Sequence, residues 1–362
     1  MKSLMKLRTS IILAIGMTFW NQMSGFAQNT PATAGQPAVY PAQSLSQLGS
    51  GRVMNLTPTD AQGHSVHIMP TKQMARTLGA TGNLTPTPPL TYHGGPIMGS
   101  ITIYNIFWVG ALQGGGTAPL TSLYMNTTNN LATDYAGHSL DTINTQYYQT
   151  LPSKFVHGLT INCCGSSLGG IYIDTNPFPH SYCTDTATPN NCIADVQLRN
   201  EILTVLAATG WKGGGGNMFV VYTGQGEGSC TDAGSSKCAY SYYCGYHSFF
   251  TPAGANTIMY ANIPYAGVNS CEVPSAPNGD LGADSAANVA SHEISEAITD
   301  PHLNAWYNSD GNENGDLCAF DFGTNTYNIG MPNEANQQWN GNNYLLQREW
   351  NNHTGSCVQV GP

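Results

Sequence analysis

DSAANVASHEISEAITDP, residues 284–301, combines an apolar repeat with three ionisable residues in five positions. Ala287, Val289, Ile294, Ala297 and Ile298 recur at helical spacing, which predicts a helix from about Asp284 to Thr299, stopped by Pro301. Residues four apart share a helix face, so His292 and Glu296 point the same way and Glu293 lies one residue round. An imidazole and a carboxylate so placed suit a divalent ion, and a neighbouring carboxylate can take a proton from water held there. The competing reading makes these residues the solvated side of an amphipathic helix. Only 9% of the chain is charged, so three ionisable residues within five positions favour chemistry.

A third donor lies downstream. In NENGDLC, residues 312–318, Glu313 and Asp316 are acidic, and Asp316 follows Glu296 by 20 residues. His292 and Glu296 are the expected metal ligands on the helix, with Glu293 as the general base and Glu313 or Asp316 offering the third ligand. One nitrogen and two carboxylates form a hard donor set that suits zinc, while manganese, iron and calcium also fit. Asp300 is expected to accept a hydrogen bond from the second ring nitrogen of His292.

Outward from this helix, strands and helices alternate. The β-branched and aromatic run 100–109 reads as a buried strand, as do GGIYIDT, NMFVVYTGQG and NTIMYANIPYAG. DVQLRNEILTVLAATGW has a wide apolar helical face closed by Gly210, and PLTSLYMNTTNNLATDYAG has helical spacing too. Beyond residue 300 the chain is Asn-, Gly- and Trp-rich with little periodicity. The fold class expected is α/β (mixed α+β): one domain over 91–362, with a central buried sheet, flanking helices and an irregular, disulfide-pinned C-terminal lobe.

Residues 1–27 carry Lys2, Lys6 and Arg8 before the short apolar run IILAIGMTFW, with Gly25 and Ala27 at small-residue cleavage positions. This is the pattern of a signal peptide, and the apolar run is about half the roughly 20 residues that span a bilayer. Residues 28–90 are rich in Pro, Thr, Ala and Gln and repeat NLTPT at 55–59 and 83–87, which predicts a flexible leader or a propeptide. The ten cysteines fall at 163, 164, 183, 192, 230, 238, 244, 271, 318 and 357. An even count in an exported chain reads as disulfides, in three local groups: Cys163 and Cys164 with Cys183 and Cys192; Cys230, Cys238, Cys244 and Cys271; and Cys318 with Cys357. Pairing within the groups is open. A formal net charge of −10, three units more negative without the leader's basic residues, excludes nucleic acid as a partner. A secreted, extracellular or periplasmic monomer is expected, with no membrane attachment after cleavage.

Other candidates carry less. His247 in CGYHSFF and His93 in YHGGP read as packed or exposed histidines. GWKGGGGN follows a helix and reads as a turn, and Asp280 of PNGD reads as a helix-capping or calcium oxygen. NSDGNENGD, 308–316, has spaced oxygens like a calcium loop but lacks the EF-hand register.

Several blocks recur together in one known family. YHGGPIMGSITIYNIFWVG (92–110), MFVVYTGQ (218–225), CGYHSFF (244–250) and APNGDLGADSAANVASHE (276–293) resemble, in order, the landmarks of the plant Exordium, or phosphate-induced, proteins. The resemblance spans about residues 92–357 and implies a secreted cell-wall protein linked to growth. The plant pattern has apolar or small residues where this chain has His292, Glu293 and Glu296, so the chain looks like a bacterial-type member. A second, local likeness covers about 25 residues: HEISEAITD (292–300) resembles the helix of the thermolysin-like, or zincin, metalloproteases, with Glu296 for the second histidine and Asp316 for the third, acidic ligand. It implies a metal-dependent hydrolase acting on peptide bonds. The alternative is a non-enzymatic extracellular protein binding cell-surface carbohydrate or a partner, its acidic cluster structural or calcium-binding, with Trp306, Trp339, Tyr344 and Trp350 stacking on sugars.

Overall fold

Six strands build the main sheet: β1 (His67–Pro70), β2 (Thr102–Trp108), β3 (Leu168–Asp174), β4 (Asn217–Thr223), β5 (Tyr243–Phe250) and β6 (Ile258–Ile263). Their spatial order is β1-β5-β6-β4-β2-β3. The middle strands β6, β4, β2 and the edge strand β3 are parallel; β5 runs antiparallel to β6, and β1 antiparallel to β5. Parallel strands covered on both faces need continuous apolar runs, and Met218–Tyr222 and Ile258–Ile263 are buried throughout. The computed structural model describes residues 55–78, 89–116, 118–151, 154–156, 167–185, 187–188, 190–234, 237–330 and 333–361. The signal-peptide pattern, the second NLTPT, Cys163 and Cys164 lie outside the described residues.

Helices α1 (Lys72–Leu78), α2 (Ser122–Asp134), α3 (Asp195–Thr209) and α4 (Leu281–Thr299) accompany the sheet. Helix α3 ends where Gly210 adopts a left-handed φ of 78°, as its sequence predicts. Asp280 caps α4, its side chain accepting the Ala283 N–H, which settles the PNGD turn as a capping device. The helix then runs to Thr299, and every residue from Gly282 to Thr299 is buried. A solvated face for His292, Glu293 and Glu296 is thereby excluded, since a helix buried all round is part of the core. The mixed α+β expectation holds.

One expectation fails over part of its length. Residues 55–78 lie in the stretch expected to be a flexible leader, yet Leu56, Val66, Ile68, Met69 and Met74 sit in the main core at 4% exposure or less. The cause is local: VHIMP supplies a short apolar strand that completes the edge of β5, inside a segment whose average composition hides it.

The C-terminal lobe includes three short antiparallel pairs, Tyr327–Gly330 with Asn333–Ala335, Gln337–Trp339 with Asn342–Tyr344, and Glu349–Asn351 with Ser356–Val358. Trp306, Trp339, Tyr344 and Trp350 are at most 6% exposed, so they are packing residues and offer no sugar-stacking face. Among the described residues the disulfides are Cys183–Cys192, Cys230–Cys238, Cys244–Cys271 and Cys318–Cys357. The last closes a 39-residue separation and anchors the 3-10 turn Asp316–Cys318. Loop-closure entropy for that length is about 4 kcal/mol. Replacing Cys318 and Cys357 by serine should lower unfolding free energy by about that amount in a denaturant titration.

Candidate metal centre

The sheet edge and α4 meet over one buried pocket. In a strand, alternate residues share a face, so Gly245 and His247 of β5 both turn towards α4. Gly245 is needed there: a Cβ on it would lie 2.6 Å from Val289 Cγ1 and 3.1 Å from Glu293 Oε1. His67 of β1 pairs across the ladder with His247, which brings its ring to the same face. The α4 helix supplies His292, Glu293 and Glu296, and the turn at its far end supplies Glu313 and Asp316. Gly315 fits between them, because a Cβ would come within 2.7 Å of His292 Nδ1.

All three expected metal ligands reach this pocket. His292 Nε2 is 3.1 Å from Glu296 Oε1 and 3.9 Å from Asp316 Oδ1. A fourth donor arrives from β1: His67 Nε2 is 2.8 Å from Asp316 Oδ2 and 3.9 Å from Glu296 Oε2. With one donor atom taken from each residue, His67, Glu296 and Asp316 lie within 4.8 Å of one another, whereas His292 faces the other oxygens of Glu296 and Asp316 and does not join that group. On the other side, His247 Nδ1 is 3.2 Å from Glu293 Oε2 and 3.6 Å from Glu296 Oε2. Glu313 bridges the two outer histidines, with Oε1 3.3 Å from His67 Nδ1 and Oε2 3.9 Å from His247 Nε2.

None of these seven side chains is more than 2% exposed. Buried polar atoms are normally paired. Here His247 Nε2, His292 Nε2, Glu296 Oε2, Glu313 Oε2 and Asp316 Oδ1 have no hydrogen-bond partner. Several bonds do hold the donors in place: Asp316 N–H to Glu296 Oε1, Glu313 N–H to Asp316 Oδ2, and Met69 N–H to Glu293 Oε1.

The electrostatics follow from burial. It pushes the carboxyls of Glu293, Glu296 and Glu313 well above the usual carboxylate range, and their mutual repulsion adds to this. Burial also pulls the His67 imidazole down, but Asp316 and Glu296 outweigh it and its pKa is raised. His247 is pulled well below the ordinary value by burial and then by His67 and His292. Beyond the pocket, burial holds the Glu349 carboxyl well up.

Two second-layer details differ from expectation. Asp300 does not reach His292. Its Oδ1 accepts the Asn304 and Ala305 N–H groups, closing the turn after α4, and burial pushes its pKa up to about 6. The partner of His292 Nδ1 is Gln347 Nε2, at 2.9 Å. Gln347 is oriented by the Phe320 N–H donating to its Oε1 and by its own Nε2 donating to Gly315 O. A neutral His292 in that setting carries its proton on Nε2. Ligation through Nε2 therefore requires the proton on Nδ1 and the Gln347 amide turned.

Sequence reasoning missed His67 and ranked His247 as a packing residue. The available signal was the same for both: a histidine at an inward position of an apolar strand, VHIMP and CGYHSFF, in a chain with few charges. His93, the other candidate, is exposed and stacks on Tyr307 at 3.6 Å.

A mixed sheet with a buried histidine–carboxylate centre on its edge defines a class of architecture, and the comparisons show what part of the chain is similar to. Residues 221–360 match the phosphate-induced protein 1 conserved region. The chain is 32% identical over 148 residues to Protein EXORDIUM-like 3 of Arabidopsis thaliana, covering 32% of this chain and 43% of that protein. It is 29% identical over 146 residues to Protein EXORDIUM-like 5 of the same plant, covering 32% of this chain and 40% of that protein. The chain thus spans less than half the length of these relatives. These matches show a likeness to the Exordium-like, phosphate-induced proteins over part of the chain. No solved structure matches. The family region contains His247, His292, Glu293, Glu296, Glu313 and Asp316, whereas His67 precedes it.

Proposed function

We propose that the chain is an exported metal-dependent hydrolase, of the peptidase kind, whose metal centre closes when His292 joins the other ligands. The observation that carries this reading is the convergence of buried, unpartnered nitrogen and oxygen atoms from β1, β5, α4 and the 313–316 turn. His67, Glu296 and Asp316 would hold the ion, joined by His292 once Gln347 turns. Histidine nitrogens favour zinc, manganese or iron over calcium, which takes oxygen ligands. A bound divalent ion would supply Lewis acidity to water and to a peptide carbonyl. Glu293 lies beside it as the candidate proton acceptor, and His247 holds that carboxylate in place. Catalytic zinc sites keep a position open, whereas four protein ligands make a closed one. His67 is that fourth ligand.

Export is supported by the four disulfides and by the signal-peptide pattern of the first 27 residues. No helix among the described residues is long and apolar enough to cross a membrane. The bacterial-type character rests on the ionisable residues of α4. A second reading, a non-enzymatic extracellular protein with a structural ion, is favoured by the near-complete burial of the donors.

Metal analysis of the purified chain tests the proposal. The wild type should retain a transition metal, and Glu296→Gln should lose most of it. An intact wild type free of metal after exposure to zinc, manganese and iron would end the hydrolase reading.

A further inference from the structure

The set formed by His67, Glu296 and Asp316, with His292 beside it, leaves three buried groups that do not ligate its ion: His247, Glu293 and Glu313. We infer that the pocket binds two divalent cations side by side, the second held by His247, Glu293 and Glu296, with Glu296 shared between them. This rests on the reading of the pocket as a metal centre and adds its stoichiometry.

The geometry comes first. His247 Nδ1, Glu293 Oε2 and Glu296 Oε2 form a compact triad, with separations of 3.2 and 3.6 Å from the histidine nitrogen to the two oxygens. A second triad, His67, Glu296 and Asp316, lies against it, and Glu296 belongs to both. The two oxygens of Glu296 divide accordingly. Oε1 faces His292 and takes the Asp316 N–H, while Oε2 faces both His67 and His247 and has no hydrogen-bond partner. A carboxylate between two donor sets is how paired-metal sites hold their ions about 3.5–4 Å apart.

Charge gives an independent argument. Glu293, Glu296, Glu313 and Asp316 are buried together, and their ion-pair partners among the described residues are the three histidines. No lysine or arginine among the described residues pairs with them. Asp300 and Glu349 are buried beside them, so one divalent cation balances two of six carboxylates and two cations balance four. Burying unpaired charge is costly, so a second cation relieves more of the pocket's charge than one alone. Glu313, which reaches towards His67 on one side and His247 on the other, lies against both sets.

With the second ion bound, Glu293 is a ligand rather than a proton acceptor, and this separates the two arrangements experimentally. The full chain is saturated with Mn²⁺ or Zn²⁺, freed of excess by gel filtration and analysed for metal per chain. The expected result is about two ions for wild type and about one for Glu293→Gln and for His247→Ala. Bound Mn²⁺ in the wild type should show the exchange-coupled spectrum of a bridged pair by electron paramagnetic resonance, and the two variants the spectrum of an isolated ion. Glu293→Gln keeps the shape of the side chain, so it serves if His247→Ala fails to fold. Saturation of the wild type at about one ion, or an unchanged content in a folded Glu293→Gln, overturns the second site and leaves the single-metal proposal standing. No bound metal in the wild type overturns both.

Discussion

Stripping metal from the protein at neutral pH should lower its melting temperature by about 10 °C, and the metal-free form should become more stable on acidification. The first part is linkage: an ion held at about a thousandfold above its dissociation constant stabilises the folded state by about 4 kcal/mol, and a domain of this size shifts by about 2–4 °C per kcal/mol. The second part follows from the pKa directions. Glu293, Glu296 and Glu313 are raised well above 4.5 in the folded chain. Without metal, the folded state holds protons that the unfolded chain releases above that pH, so stability falls as pH rises from about 4.5. His67, also raised, acts in the same direction: its contribution is complete below pH 6.5 and is lost as pH rises through its folded value. His247 and His292 are lowered and oppose this, adding stability as pH rises towards 6.5. Three carboxyls and His67 outweigh two histidines. The loaded protein should slope the other way, because its ligands must be deprotonated. Thermal melts at pH 4.5 and 7.5, with and without chelator, read both slopes. Parallel slopes would mean that protons, not metal, neutralise the pocket.

How much of this was legible in the sequence depended on whether the signal was periodic. Helix α4 was visible because Ala287, Val289, Ile294, Ala297 and Ile298 fall at helical spacing, and Asp316 was picked out by its likeness to the third, acidic ligand of the metalloprotease pattern. That route sees only donors on one helix and its sequel. His67 and His247 come from strands that meet through an antiparallel ladder across about 180 residues of sequence, a register no local pattern encodes. The same ladder explains the misjudged leader. A four-residue strand cannot raise the apolar average of a Pro- and Thr-rich segment, yet on an open sheet edge it gains a full set of partners. The orienting role given to Asp300 failed for a geometric reason: it is the residue after the helix, and its carboxylate is taken by the N–H groups of the next turn.

The position of His67 leads to the second large effect. It is the one member of the four-donor ring that lies outside the family region, and it enters on an edge strand paired only to β5. Replacing His67 by alanine removes a ligand and its bond to Asp316 Oδ2 while leaving His292, Glu296 and Asp316 in place. A three-ligand centre with one open position is the catalytic form of a zinc site. If the closed form exposes the ion about 1% of the time, opening it permanently should raise hydrolysis of an unfolded protein such as casein by about a hundredfold. Metal affinity should fall, so the assay is run with the ion in excess and the metal content measured on the same sample. His67→Ala combined with Glu296→Gln should be inactive, which guards against a contaminating protease. The alanine also deletes a packed side chain beside Thr57, so a melt is recorded first. A folded, metal-bound His67→Ala protein that cleaves nothing more than wild type would identify the ion as structural. The reading would then pass to the non-enzymatic alternative, in which the four ligands serve to pin β1, α4 and the 313–316 turn together.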